Sequence, residues 1–276
     1  MDGVNMKSYA IYDADLDRTS AVGYLFYYEK SKEYIIELQE DLDEWEAPLL
    51  FQKLVREKQY TVPRDISLMW IRERTIPSGR QNIGSILKNH NIKEYNEMAL
   101  LEISKGKCSQ DNCYIQKIKN NQIPGNIKIR SAKNIRDCFP TEDNQIICMY
   151  KDDTVQKVDL SLLLEKYNDL SYILTNKMLL ESLKVGVGGY SIVFNESIEV
   201  PTFELRKIGI ALPIISGDLL NFARRNLLGT TQICNKMECS RQKFDYLVKM
   251  NKIQPIITET KERLYLKGDI ETIMSE

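Results

Sequence analysis

Apolar side chains in the stretch TTQICNKMECSRQKFDYLVKMNKI, Thr230 to Ile253, recur at a spacing that two short helices and a turn can satisfy. A first helix from about Thr230 presents Ile233, Cys234 and Met237. A turn follows at Glu238 and Cys239, and Ser240 stands where it can cap a second helix. In that helix Phe244, Leu247 and Val248 occupy i, i+3 and i+4 and must face inward, which turns Arg241, Gln242, Lys243, Tyr246 and Lys249 outward. The outward set holds the donors that read major-groove edges and phosphates. Arg224, Arg225, Lys236, Arg241, Lys243, Lys249 and Lys252 against Glu238 and Asp245 give this neighbourhood a net +5, a footprint that attracts nucleic acid.

Downstream, QPIITETKERLYLKGDIETI reads as two short strands around Thr260, Lys261, Glu262 and Arg263, then a helix capped by Asp269. With the small residue inside its first helix, CSR at its second and an acidic cap after its strand pair, Leu227 to Met274 resembles the winged helix-turn-helix of the MerR and excisionase-like DNA-binding families. The resemblance implies double-stranded DNA as partner. Ser240, Arg241, Gln242, Lys243, Tyr246 and Lys249 would lie on the DNA side, with Lys261 and Arg263 added from the wing. Glu238 stands where those families often carry glycine. The competing reading is a helical hairpin used for packing or protein contact.

Length and composition set the surroundings. At 276 residues and 43% apolar content the chain can bury two or three cores. Its charge nearly cancels to −1, yet the first sixty residues hold thirteen acidic against seven basic side chains, so the N-terminal end is acidic. No window has the ~18 apolar residues of a membrane span and no secretory leader pattern opens the chain, so a cytoplasmic, non-membrane protein is expected. Six cysteines in a chain this long suit free thiols.

SAVGYLFYYEKSKEYIIEL, Ser20 to Leu38, predicts a hairpin around Glu29 to Lys32. A helix from Trp45 or Pro48 would carry Trp45, Leu49, Leu50 and Leu54. Ile83, Ile86 and Leu87, then Tyr95, Met98 and Leu101, predict a helical hairpin broken at Asn89, His90 and Asn91. RTIPSGRQNIGSILKNHNIKEYNEMALLEISKGKCSQD resembles the N-terminal subdomain of HipA-like toxin kinases, but no catalytic-loop or metal-binding kinase motif follows it. A linker is expected near Asn121 in KIKNNQIPGNIKIRS.

Beyond it come a hairpin turning at Asp152 and Asp153, a short helix capped by Asp159 or Ser161, a strand pair around Gly188 and Gly189, and a closing helix in PTFELRKIGI. YKDDTVQKVDLSLLLEKY resembles a small uncharacterised bacterial α/β domain family, in which Asp159 would cap and Leu160 with Leu163 or Leu164 would pack under the sheet. The expected organisation is α+β and multi-domain: an N-terminal α/β domain over residues 1–121, a small mixed α/β domain over 122–215, and a winged helix-turn-helix over 216–276.

Catalytic alternatives are weak. Asp15-x-Asp17-x-Thr19 has the spacing of aspartate-nucleophile phosphatases, but Asp13 interrupts the strand those enzymes need. As a calcium loop, Asp13, Asp15 and Asp17 fail at Arg18, where glycine belongs, and at Tyr24, where glutamate belongs. Cys108 with Cys113 and Cys234 with Cys239 lack tight metal spacing, VGVGGY lacks a phosphate-loop lysine, and His90 sits in a polar turn. The expectation is a DNA-binding regulator or antitoxin-like factor without catalytic residues, metal or cofactor, self-associating or meeting a protein partner through its N-terminal domains. A protein-interaction adaptor is the alternative, and a phosphatase the weaker one.

Overall fold

Aromatic and β-branched residues on either side of a polar turn make the strands Gly23–Tyr28 and Glu33–Leu38, and Lys32 closes the turn at a left-handed φ of 58°. The computed structural model describes residues 6–141, 143–250, 252–258 and 262–275. It is a mixed α+β chain with several small antiparallel sheets. Among the described residues no helix is long and apolar enough to cross a membrane.

Contacts divide the chain into two units, residues 1–135 with 182–205, and residues 136–181 with 206–276. The first holds an antiparallel sheet in the order Glu33–Leu38, Gly23–Tyr28, Met6–Asp13, Cys113–Ile118. One face packs Tyr9, Ile11, Leu25 and Ile36 against Phe51, Trp70, Ile71 and Leu101 from short helices. The other face packs Ala10, Tyr24, Phe26 and Ile35 against Ile127 and Tyr190. Covered on both sides, these strands read as continuous apolar runs instead of alternating ones.

Several expectations shift here. Trp45 is 81% exposed and Leu49 84%. The Asp43 carboxylate accepts from the Trp45 N–H at 2.9 Å and holds a turn, so the chain becomes helical only past Pro48, in a 3₁₀ turn Leu49–Phe51 and the helix Gln52–Arg56. Phe51, Leu54 and Val55 are the buried set. Both helices of the expected hairpin form, Ile83–Asn89 and Glu97–Ser104, but the first buries no side chain and Met98 and Leu101 of the second pack into the sheet core instead. The stretch expected to be a linker carries the helix Gly125–Ala132, whose N-cap Pro124 has φ −60°, already set for helix entry. Ile127 of this helix completes the second face of the sheet, so residues 122–135 pack with the N-terminal strands and with Tyr190, in one unit. Residues 182–205, with strands Lys184–Val185, Ser191–Phe194 and Ile198–Pro201, belong to the same unit.

In the second unit the predicted hairpin is formed by Gln145–Tyr150 and Val155–Asp159, with Asp153 at φ 64° in its turn. The Asp159 carboxylate, not Ser161, caps the following turn by accepting from the Ser161 N–H at 2.9 Å, and Leu160 with Leu163 is buried beneath.

Candidate nucleic-acid interface

The helices Thr230–Lys236 and Arg241–Lys249 form where the apolar spacing places them. Their inner faces meet in a small core of Ile233, Phe244, Ile253, Tyr265 and Ile270, with Cys234, Met237, Cys239, Leu247 and Val248 half-buried around it. Phe244 meets Tyr265 edge-on, with centroids 5.1 Å apart and planes at 82°. Ser240 caps the second helix, its hydroxyl accepting from the Lys243 N–H at 3.3 Å. That occupies the Ser240 hydroxyl with a structural task.

Between the helices Glu238 takes φ 49°, the left-handed conformation for which glycine is the low-cost residue. Glu238→Gly is therefore expected to raise stability by about 0.5–1 kcal/mol, less the extra freedom glycine gives the unfolded chain. Urea unfolding followed by circular dichroism measures it. A loss of stability would mean that the carboxylate supports the turn in a way backbone geometry does not capture.

Arg241, Gln242, Lys243, Tyr246 and Lys249 are all exposed, as is Arg263. Only part of this set converges. Arg241, Lys249 and Arg263 line one open groove of about 650 Å³, with Asp245 and Glu262 as two acids in the same lining. Gln242, Lys243 and Tyr246 do not line the groove. Lys261 lies outside the described residues. Lys236, counted in the basic footprint, is ion-paired with Glu271 at 2.9 Å, and Lys267 reaches the same carboxylate at 3.5 Å. Hydrogen bonding to Lys236 holds the Glu271 carboxyl below its ordinary range.

The region after Ile253 differs from the expected strand pair. Leu264–Leu266 pairs along its length with Leu227–Gly229, upstream of the first helix, and meets the 253–258 side at Leu264, which is bridged to Ile257 and accepts from the Ile256 N–H at 2.8 Å. Pro255 offers no N–H, which shortens that ladder. Asp269 sits in the first turn of Lys267–Ser275 and does not cap it from outside, though its charge still suits the helix N-terminus. Sequence reasoning missed the helix Ser216–Asn226, which carries Arg224 and Arg225 in its last turn. Leu219, Phe222 and Ala223 at i, i+3 and i+4 were the available signal. It also missed Thr230 and Thr231, which line the groove.

Elsewhere the acidic turn is internally satisfied. The Asp13 carboxylate accepts from the Asp15 N–H at 3.0 Å, Asn112 donates to Asp15 at 2.5 Å, and Arg18 pairs with Asp41 and Glu46. Strand Met6–Asp13 has antiparallel neighbours on both sides, whereas the phosphatase alternative needs an alternating strand and helix chain. All six cysteines are free, and among the described residues no cluster of three or more potential metal ligands occurs. Compared with protein-family models, with curated proteins and with solved structures, the chain matches none of them.

Proposed function

We propose that residues 216–276 act as a winged helix-turn-helix that binds duplex DNA, with Arg241–Lys249 as the reading helix, in a cytoplasmic, non-enzymatic regulator or antitoxin-like factor. One observation carries the reading. The flank of the second helix that carries Arg241, Asp245, Val248 and Lys249, beside buried Phe244, opens onto the same groove as Arg263, so three cations border a space that a phosphate backbone could follow. Asp245 and Glu262 in that lining oppose indiscriminate anion binding and favour a partner that supplies donors as well as phosphates. In this reading the likeness of residues 74–111 to a HipA-like subdomain makes the first unit a protein-contact module.

The test is a binding titration of the full chain on a selected duplex and on a scrambled one, across a salt series. Arg241 lies in the first turn of the second helix, where a recognition helix reaches deepest, so Arg241→Ala should cost about 1–3 kcal/mol on the selected site and much less on the scrambled one. Lys249, in the last turn, reaches phosphate, and Lys249→Ala should weaken both duplexes alike and lower the salt slope by about one. Binding without salt dependence, or none at all, would leave the adaptor reading in place. Equal losses for both variants on both duplexes would mean that the helix positions without reading.

A further inference from the structure

We propose that the helix Ser216–Asn226 is a seam at which two copies of this chain associate, side by side and antiparallel about a two-fold axis. The helix has eleven residues, and Ser216 is its single buried side chain. Helices this short are marginal in water unless an apolar face is covered. Ile215, Leu219, Phe222 and Asn226 follow one another at spacings of four, three and four, the period of a two-helix seam. Ile215 is 51% exposed and Phe222 54%, with Leu219 and Asn226 of the same stripe half-buried. The core of the neighbouring helix pair contains none of these side chains.

The flanks of the stripe determine what covers it. With Leu219 and Phe222 as the two seam positions, Asp218 and Arg225 fall on the same flank, one helical heptad apart, while Ser216 and Ala223 fall on the other. A parallel pair would set each flank against the opposite one and leave Asp218 facing Ala223. An antiparallel pair sets the charged flanks together, so Asp218 of each copy meets Arg225 of the other, twice across the axis, while the flank of buried Ser216 and half-buried Ala223 stays against its own protomer. The same residues serve both copies, as a two-fold interface requires. Opposed macrodipoles favour the same orientation.

The experiment uses full-length protein without DNA, with mass followed by sedimentation velocity over a concentration series. A monomer–dimer equilibrium is expected. Phe222→Glu should raise the dissociation constant by about a hundredfold or more, because it buries a charge twice over, and should leave the thermal melt unchanged at concentrations where wild type is monomeric, because the side chain is exposed. Arg225→Asp should weaken the dimer by about tenfold, and adding Asp218→Arg should recover most of that loss. Asp218 also accepts from the Ile215 N–H at 3.1 Å, so Asp218→Asn, which keeps a capping oxygen and loses the charge, separates capping from pairing. It should weaken the dimer too. A wild-type monomer at all concentrations, or a dimer indifferent to Phe222→Glu, overturns the proposal. So does a double swap no tighter than Arg225→Asp alone, or a monomer that co-sediments with phosphatidylserine vesicles through Phe222.

Discussion

Arg130→Met is expected to destabilise the protein by about 3–5 kcal/mol at pH 8 and by markedly less at pH 5.5. Its partner Glu37 is wholly buried on the strand Glu33–Leu38. Arg130 donates from Nε to the Glu37 carboxylate at 2.6 Å, and the Thr61 hydroxyl lies 3.1 Å from both carboxylate oxygens. Burial pushes the Glu37 carboxyl up and Arg130, Thr61 and Tyr190 pull it back, leaving it at about 7. The folded chain therefore keeps a proton that the unfolded chain releases near pH 4.5. Its contribution to stability is fully present below that value and is lost as pH rises through about 7. Wild-type stability should accordingly fall by about 2 kcal/mol between pH 5.5 and 8, and Glu37→Gln should flatten the profile. At pH 8 the variant leaves a buried carboxylate without its cation; at pH 5.5 the carboxyl is largely protonated and loses little. The bonds of Arg130 to the Leu38 carbonyl, 2.5 Å, and to Glu40, 3.1 Å, are lost at both pH values and cancel in the difference. Urea unfolding of wild type and variant at the two pH values decides the matter. Equal losses would show that Glu37 is ionised throughout.

That pair also marks where the sequence stops being legible. The hairpin around Lys32 and the turn at Asp153 could be read because turn chemistry and apolar runs are local signals. The helix pair at Thr230–Lys249 could be read because Ile233, Phe244 and Leu247 repeat within one helix each. Glu37 and Arg130 lie 93 residues apart, and nothing near either one announces the other. Arg130 read as part of a basic linker because Asn120, Asn121, Pro124 and Gly125 imitate a loop; the same Pro124 starts a helix once Ile127 has a sheet to pack on. Trp45 misled in the opposite direction, since helical spacing to Leu49 carries no information about the Asp43 turn that keeps it outside. In the candidate site the exposed cations were visible residue by residue. Their division was not, because only three dimensions place Arg241, Lys249 and Arg263 on one groove and tie Lys236 to Glu271.

Phe244→Ala is expected to cost about 3–5 kcal/mol and to unfold the helix pair while the sheet of the first unit stays protected. Phe244 is fully buried, and among the described residues the core it anchors has four other buried residues, Ile233, Ile253, Tyr265 and Ile270. A core so small cannot close over the space a lost ring leaves, and Tyr265 would lose its edge contact as well. Leu264–Leu266 and Leu227–Gly229 add a ladder of three residues each, too short to hold without that packing. Amide exchange distinguishes this from a general loss of stability. Protection should fall across Thr230–Lys249 and persist in Gly23–Tyr28. Arg241→Ala, on the exposed side of the same helix, should change protection by no more than about 0.5 kcal/mol. Wild-type protection of Arg241–Lys249 in Phe244→Ala would mean that other contacts fix the helix. The exposed cations would then need a different explanation for their common orientation, since it is Phe244 turned inward that sets the flank carrying Arg241 and Lys249 toward the groove.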